Sequence, residues 1–155
     1  GGPILMILEA LLQYAHILAI LTLVVFLTSE AALCRPEWMR PEIVERLAKV
    51  DRIYGIAAMA VLGTGLLRIY LGAKGEDWYW SNWLLHTKLG LFILAALLSI
   101  PPTIRFARWR KVLRAGGGLP SEEEVRKVRK LVMVQAHIIP FIPLAAAFLA
   151  RGFGG

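Results

Sequence analysis

The chain has 155 residues and is 57% hydrophobic with a mean hydropathy of +0.61, which is too apolar for a soluble domain. Its single cysteine excludes an internal disulfide and any cysteine-based metal cluster. The net charge of +7 sits beside apolar runs, so it reads as membrane topology and contact with anionic lipid, with no nucleic acid as partner.

Stretches 10–29, 53–67, 89–104 and 131–150 contain no Asp, Glu, Lys or Arg. The first and last reach the roughly 20 residues a helix needs to cross a bilayer. The middle two are extended by Arg52, Arg68, Lys88 and Arg105, whose stems lie along apolar surface while their charges reach the headgroups. The fold expected is all-α. It is a single transmembrane domain over 1–155, an integral membrane four-helix up-down bundle with helices at about 4–34, 42–72, 81–112 and 121–152.

Helix one carries Glu9, Gln13, His16 and Glu30. At 100° per residue, Gln13 lies about 40° from Glu9, His16 about 20° to the other side and Glu30 about 60° away. Lipid cannot satisfy these groups, so all four are expected to share a polar face turned into the bundle. Pro41 suits the first turn of helix two. Farther along, Asp51 and Arg52 come to the end where Glu30 lies, and a Glu30–Arg52 ion pair with Asp51 nearby is expected there. Gly55, Gly63 and Gly65 follow, as sites of close helix approach.

The connection Gly75-Glu76-Asp77-Trp78-Tyr79-Trp80-Ser81-Asn82-Trp83 is an aromatic belt at headgroup level. Helix three opens Trp83-Leu84-Leu85-His86-Thr87-Lys88-Leu89. His86 and Lys88 lie about 200° apart, so a core-facing His86 sends Lys88 to the outer headgroups. Pro101-Pro102 predicts a bend near the inner end. Gly116-Gly117-Gly118-Leu119-Pro120 breaks the chain, and Ser121-Glu122-Glu123-Glu124 has the form of a capping box that starts helix four. Helix four carries Gln135, His137, Pro140 and Pro143; its prolines free carbonyls near Ala136 and Ile139.

The basic residues are unevenly divided. Arg35, Arg40, Arg46, Lys49 and Arg52 lie between helices one and two, and nine more, from Arg105 to Lys130, between three and four. Only Arg68, Lys74, Lys88 and Arg151 lie at the other end. The positive-inside rule then puts both termini outside and both basic loops in the cytoplasm.

His16, His86 and His137 each stand alone in a different apolar segment. From the helix ends their depths are roughly 8 Å for His86, 18 Å for His16 and 22 Å for His137, too spread for a compact zinc centre. A haem needs only two axial ligands, one on each face. Diagonal helices, roughly 12–14 Å apart by square geometry, admit the ring better than neighbours at about 8–10 Å. Helices one and three are diagonal, so His16 and His86 are the preferred ligands of a haem iron. His137 is expected to bind beside the cofactor, as a replacement ligand or proton donor.

Four stretches carry a resemblance: Leu12-Gln13-Tyr14-Ala15-His16-Ile17-Leu18, Asp51-Arg52-Ile53-Tyr54-Gly55, Thr64-Gly65-Leu66-Leu67-Arg68 and Pro102-Thr103-Ile104-Arg105-Phe106. Through them the chain resembles, over nearly its whole length, the prokaryotic family of predicted membrane proteins known as domain-of-unknown-function family twenty-two fourteen. The resemblance implies a multi-pass protein of a prokaryotic cytoplasmic membrane. A second resemblance, confined to His16 and to Trp83, His86, Lys88 and Leu89, is to the oxygen-independent protoporphyrinogen oxidase family of membrane proteins. It implies haem b held by His and Lys-type ligands, which adds Lys88 to His16 and His86.

The function expected is a haem-b-binding, cytochrome b-like redox protein with a quinol or porphyrin as partner. The alternatives are a non-enzymatic membrane subunit of a larger complex and a proton-linked transport protein, a homodimer at this size. In the transport case Glu9, Gln13, His16, Glu30 and Arg52 belong to a polar bundle interior. There is no Walker loop, Ser-His-Asp set, dinucleotide fingerprint or zinc motif in the sequence.

Overall fold

A computed structural model describes residues 2–71 and 75–154. Among these residues there is no strand, and four helical spans are long and apolar enough to cross a membrane. The helices are α1 (Pro3–Leu33), α2 (Pro41–Tyr70), a short α3 (Glu76–Ser81), α4 (Trp83–Arg114), α5 (Glu122–Ile138) and α6 (Phe141–Ala150). The predicted end of helix two at 72 and the outer Lys74 lie outside the described residues.

In the up-down order, α1 packs chiefly on α2 and also on α5, while α4 packs on α2, α5 and α6. α1 and α4 are therefore the diagonal pair. The core lies toward the basic end, where Leu23, Leu27, Leu47, Tyr54, Phe106 and Val132 close on one another. A smaller cluster of Ile69, Leu84, Leu85 and Leu149 closes the other end. Ile4, Leu11, Val25, Ile56, Met59, Ile93 and Leu97 point outward. Only 11–17% of each apolar window is buried inside the protein, so lipid must cover the rest. The protein is a multi-pass membrane bundle.

Helix ends follow local chemistry. Ser121 Oγ accepts the Glu124 N–H at 3.2 Å, but the Glu124 carboxylate turns to Arg105 at 2.7 Å instead of back to its own cap. α4 ends in a Schellman motif: Gly117 N–H donates to Val112 O at 2.8 Å and Gly116 N–H to Leu113 O at 3.0 Å. Gly116 has φ +86°, and a Cβ on Gly117 would stand 2.5 Å from the Val112 side chain. At the other end, Asn82 Oδ1 accepts the Leu84 N–H at 2.8 Å, and its Nδ2 donates to Phe153 O at 2.9 Å, tying the C-terminal turn to the start of α4.

The prolines act differently in the two spans. The helix continues through Pro101 and Pro102, where a bend is expected. Pro102 leaves Leu98 O without its helical N–H, and Gln135 Nε2 of α5 donates to that oxygen at 3.3 Å. The fourth span, expected as one helix over 121–152, is divided at Ile139-Pro140 into α5 and α6. There Ile139 O, which loses its donor to Pro143, accepts the Ile142 N–H at 3.1 Å instead.

Candidate functional site

α1 turns Ala19, Leu23, Leu27 and Glu30 inward, a spacing of three and four that makes one helical stripe. His16 extends the stripe toward the N-terminus and is half-buried. Leu12, not Gln13, comes next on it; Gln13 and Glu9 are exposed. The expected four-residue polar face is thus reduced to its two inner members, His16 and Glu30. They stand fourteen positions apart on α1, roughly 21 Å at 1.5 Å per residue.

Glu30 is 0% exposed. Its neighbour across the α1–α2 contact is Asp51, at 4% exposure. The expected Glu30–Arg52 ion pair does not form: Arg52 is exposed, and no donor reaches either Glu30 oxygen. Successive helical residues diverge by 100°, so with Asp51 turned into the bundle Arg52 must turn out. Asp51 Oδ2 accepts the Thr103 hydroxyl of α4 at 2.6 Å, while Oδ1 has no donor. The two carboxyls face each other as acceptors, so they can hydrogen-bond only through a proton lying between them.

A second polar link lies nearby. Tyr54 O–H donates to Gln135 Oε1 at 2.8 Å, and Gln135 Nε2 donates to Leu98 O and to Leu131 O. Tyr54 stands one turn above Asp51 on the same face of α2, and both are buried. Sequence reasoning assigned no site role to Thr103 or Tyr54, although the i, i+3 spacing of Asp51 and Tyr54 was readable. Below this level Arg129 of α5 donates to Ala31 O and, at 3.3 Å, to Cys34 O, so a cation meets the carbonyl end of α1.

The histidines are not brought together. His16 Nδ1 shares a hydrogen bond with Thr64 Oγ1 of α2, and its ring lies so close to Gly65 that a Cβ there would come within 3.3 Å of Cε1. His86 is exposed and bonds through Nε2 to Trp80 O at 2.7 Å. His137 is exposed and bonds through Nδ1 to Met133 O of its own helix at 2.6 Å. The cause on α4 is the inward packing of Leu84 and Leu85, the latter at 0% exposure. That register turns His86 out and the opposite Lys88 partly in, the reverse of the expected orientation. His16 and His86 therefore do not present two imidazoles to one iron, and these residues do not fit a bis-histidine haem. Lys88 approaches His16 and Arg68, but as one of three basic groups.

A cleft between α2 and α4 borders Asp51, with a volume of about 290 Å³ and Asp51, Thr103, Gly55 and Phe106 in its wall. The arrangement can hold and exchange a proton. Among the described residues no group of three or more His, Cys, Asp or Glu is placed to hold a metal ion. A family model described as a predicted membrane protein, DUF2214, matches residues 8–154. No curated protein and no solved structure matches the chain.

Proposed function

The chain belongs to the DUF2214 family of predicted membrane proteins, and from that premise we propose that it is a non-enzymatic, proton-linked transport protein working through Glu30 and Asp51. The observation that carries this reading is Glu30 itself: a carboxyl wholly buried in a membrane bundle, with no donor to either oxygen and a second carboxyl opposite.

A lone ionised carboxylate in such a place costs several kcal/mol. Two facing carboxylates cannot both carry charge without adding to that cost. The pair therefore works with one proton between its members. Thr103 donates to Asp51 and so favours charge there, leaving the proton with Glu30. The cleft beside Asp51 and Thr103 is the route to the basic end of the bundle, which the positive-inside rule turns to the cytoplasm. His16 and Thr64 form a second polar station in the other half. Leu23, Leu27, Ala57 and Val132 separate the two with apolar side chains, so transfer between them requires the helices to move.

The test is an imposed pH gradient across vesicles of phosphatidylcholine carrying the purified protein and an entrapped pH dye. The wild type is expected to dissipate the gradient. Glu30→Gln, close in shape but unable to ionise, is expected to abolish most of the flux while keeping the melting temperature. Equal flux from a folded Glu30→Gln protein would overturn the reading.

A further inference from the structure

The cleft between α2 and α4 has features that proton exchange does not need. It is bordered by Arg52 and Arg110 as well as by Asp51 and Thr103. Among the described residues neither arginine makes an ion pair: the carboxylates near this end are taken by other cations, Glu45 by Arg114 and Glu124 by Arg105. Two guanidiniums without an ion pair thus flank an opening whose inner wall holds the buried Asp51 carboxylate. Thr103 spends its proton on Asp51, so toward the cleft its hydroxyl can only accept.

The cleft also lies at a defined height. Arg52 directly precedes the uncharged run of α2, and Thr103 and Arg105 close that of α4. These are positions where an apolar span meets the headgroups. The site offers positive charge at its mouth, negative charge and an acceptor within, and a place beside lipid.

We propose that this cleft binds the headgroup of a phospholipid bearing a primary ammonium, its phosphate between Arg52 and Arg110 and its ammonium against Asp51 and Thr103. Arginine forks match phosphate oxygens. The ammonium answers the charge on Asp51 and supplies the donor that the Thr103 hydroxyl lacks on its cleft side. A metal cation would meet two guanidiniums at the entrance, and a headgroup with no amine would leave the Asp51 charge unanswered. A quaternary ammonium has charge but no N–H for Thr103. The inference rests on the proton-linked reading in one respect: with the shared proton on Glu30, Asp51 is the charged member.

The experiment titrates the purified full chain in detergent with phosphatidylethanolamine, phosphatidylcholine and phosphatidylglycerol of identical acyl chains, counting bound lipid by native mass spectrometry. Phosphatidylethanolamine is expected to bind about tenfold more tightly than phosphatidylcholine, the worth of one charge-assisted hydrogen bond. Arg52→Gln with Arg110→Gln is expected to weaken both lipids alike. Thr103→Val, close in shape, is expected to narrow the gap between them. Equal binding of phosphatidylethanolamine and phosphatidylcholine by the wild type overturns the proposal, as does tightest binding of phosphatidylglycerol. Soluble phosphoethanolamine binding as tightly as the lipid would overturn the assignment to a membrane ligand. Proton flux in vesicles of phosphatidylcholine alone is read separately. Lipid preference without flux sinks the proton-linked reading and keeps this one, and flux without preference does the reverse.

Discussion

Cys34 shows what burial does to a single residue just past the end of α1. It is 0% exposed, with its thiol 3.9 Å from Val125 O. Burial pushes the thiol up to about 12, the Glu30 carboxyl adds to the rise only where it is ionised, and Arg129 opposes it. A thiol ordinarily ionises near about 8.5, and only the thiolate is a good nucleophile. Maleimide at pH 8 is therefore expected to label the denatured protein and not the folded one, read by mass. The sign of the linkage follows: the folded state holds its proton more tightly, so stability from this group is full below the ordinary thiol range and is lost as pH rises toward about 12. Gln135 permits a second test. Gln135→Leu strands both the Tyr54 hydroxyl and Leu98 O, so it should cost about 2 kcal/mol in a denaturant titration, and adding Tyr54→Phe should recover part of that loss. At this scale the sequence was only half legible. Glu30 announced itself because a charge in an apolar run has few places to go, and Asp51 because it came to the same level. The histidines misled because an apolar neighbourhood is the same string of letters whether it faces lipid or core. His86 and His137 are satisfied locally by Trp80 O and Met133 O, a solution that leaves no mark on spacing.

The helices themselves were legible to within a few residues, since uncharged length and cap chemistry set them. Ser121, Pro41 and the triple glycine stand where expected. The Schellman close of α4 depends on glycine twice, through the left-handed φ of Gly116 and the missing Cβ of Gly117. Gly117→Ala would bring its methyl within 2.9 Å of Val112 O as well as onto the side chain. It is expected to fray the last turn and lower stability by about 1–2 kcal/mol, visible as faster amide exchange in 110–116 with the rest of α4 unchanged. Where element prediction failed, proline was the cause. Its effect depends on what stands opposite: Pro102 meets a glutamine amide and the helix runs on, whereas Pro140 and Pro143 together divide the fourth span. No rule confined to one helix can tell these outcomes apart.

The whole molecule is organised by unequal charge, fourteen Lys and Arg toward the end where α1 leads to α2 and α4 to α5, against three among the described residues toward the opposite end. Reporters that fluoresce only in the cytoplasm are expected to stay dark at both termini and to light when inserted after Gly117. A bright terminus would reverse the orientation and put the Glu30 end of the bundle outside. Antiparallel order and the diagonal placement of α1 and α4 followed from short connections. The pairing of Asp51 with Thr103, which joins positions 52 residues apart, needed three dimensions. The bond from Gln135 to Leu98 O bears on biogenesis. Its two ends are 37 residues apart, so at about 5–20 residues per second the third span waits roughly 2–7 s for its partner to be translated. During that interval it offers the insertion machinery a bare oxygen in the middle of a hydrocarbon stretch. A nascent chain stalled at the triple glycine would display that gap permanently, giving membrane quality control a mark by which to recognise unfinished copies.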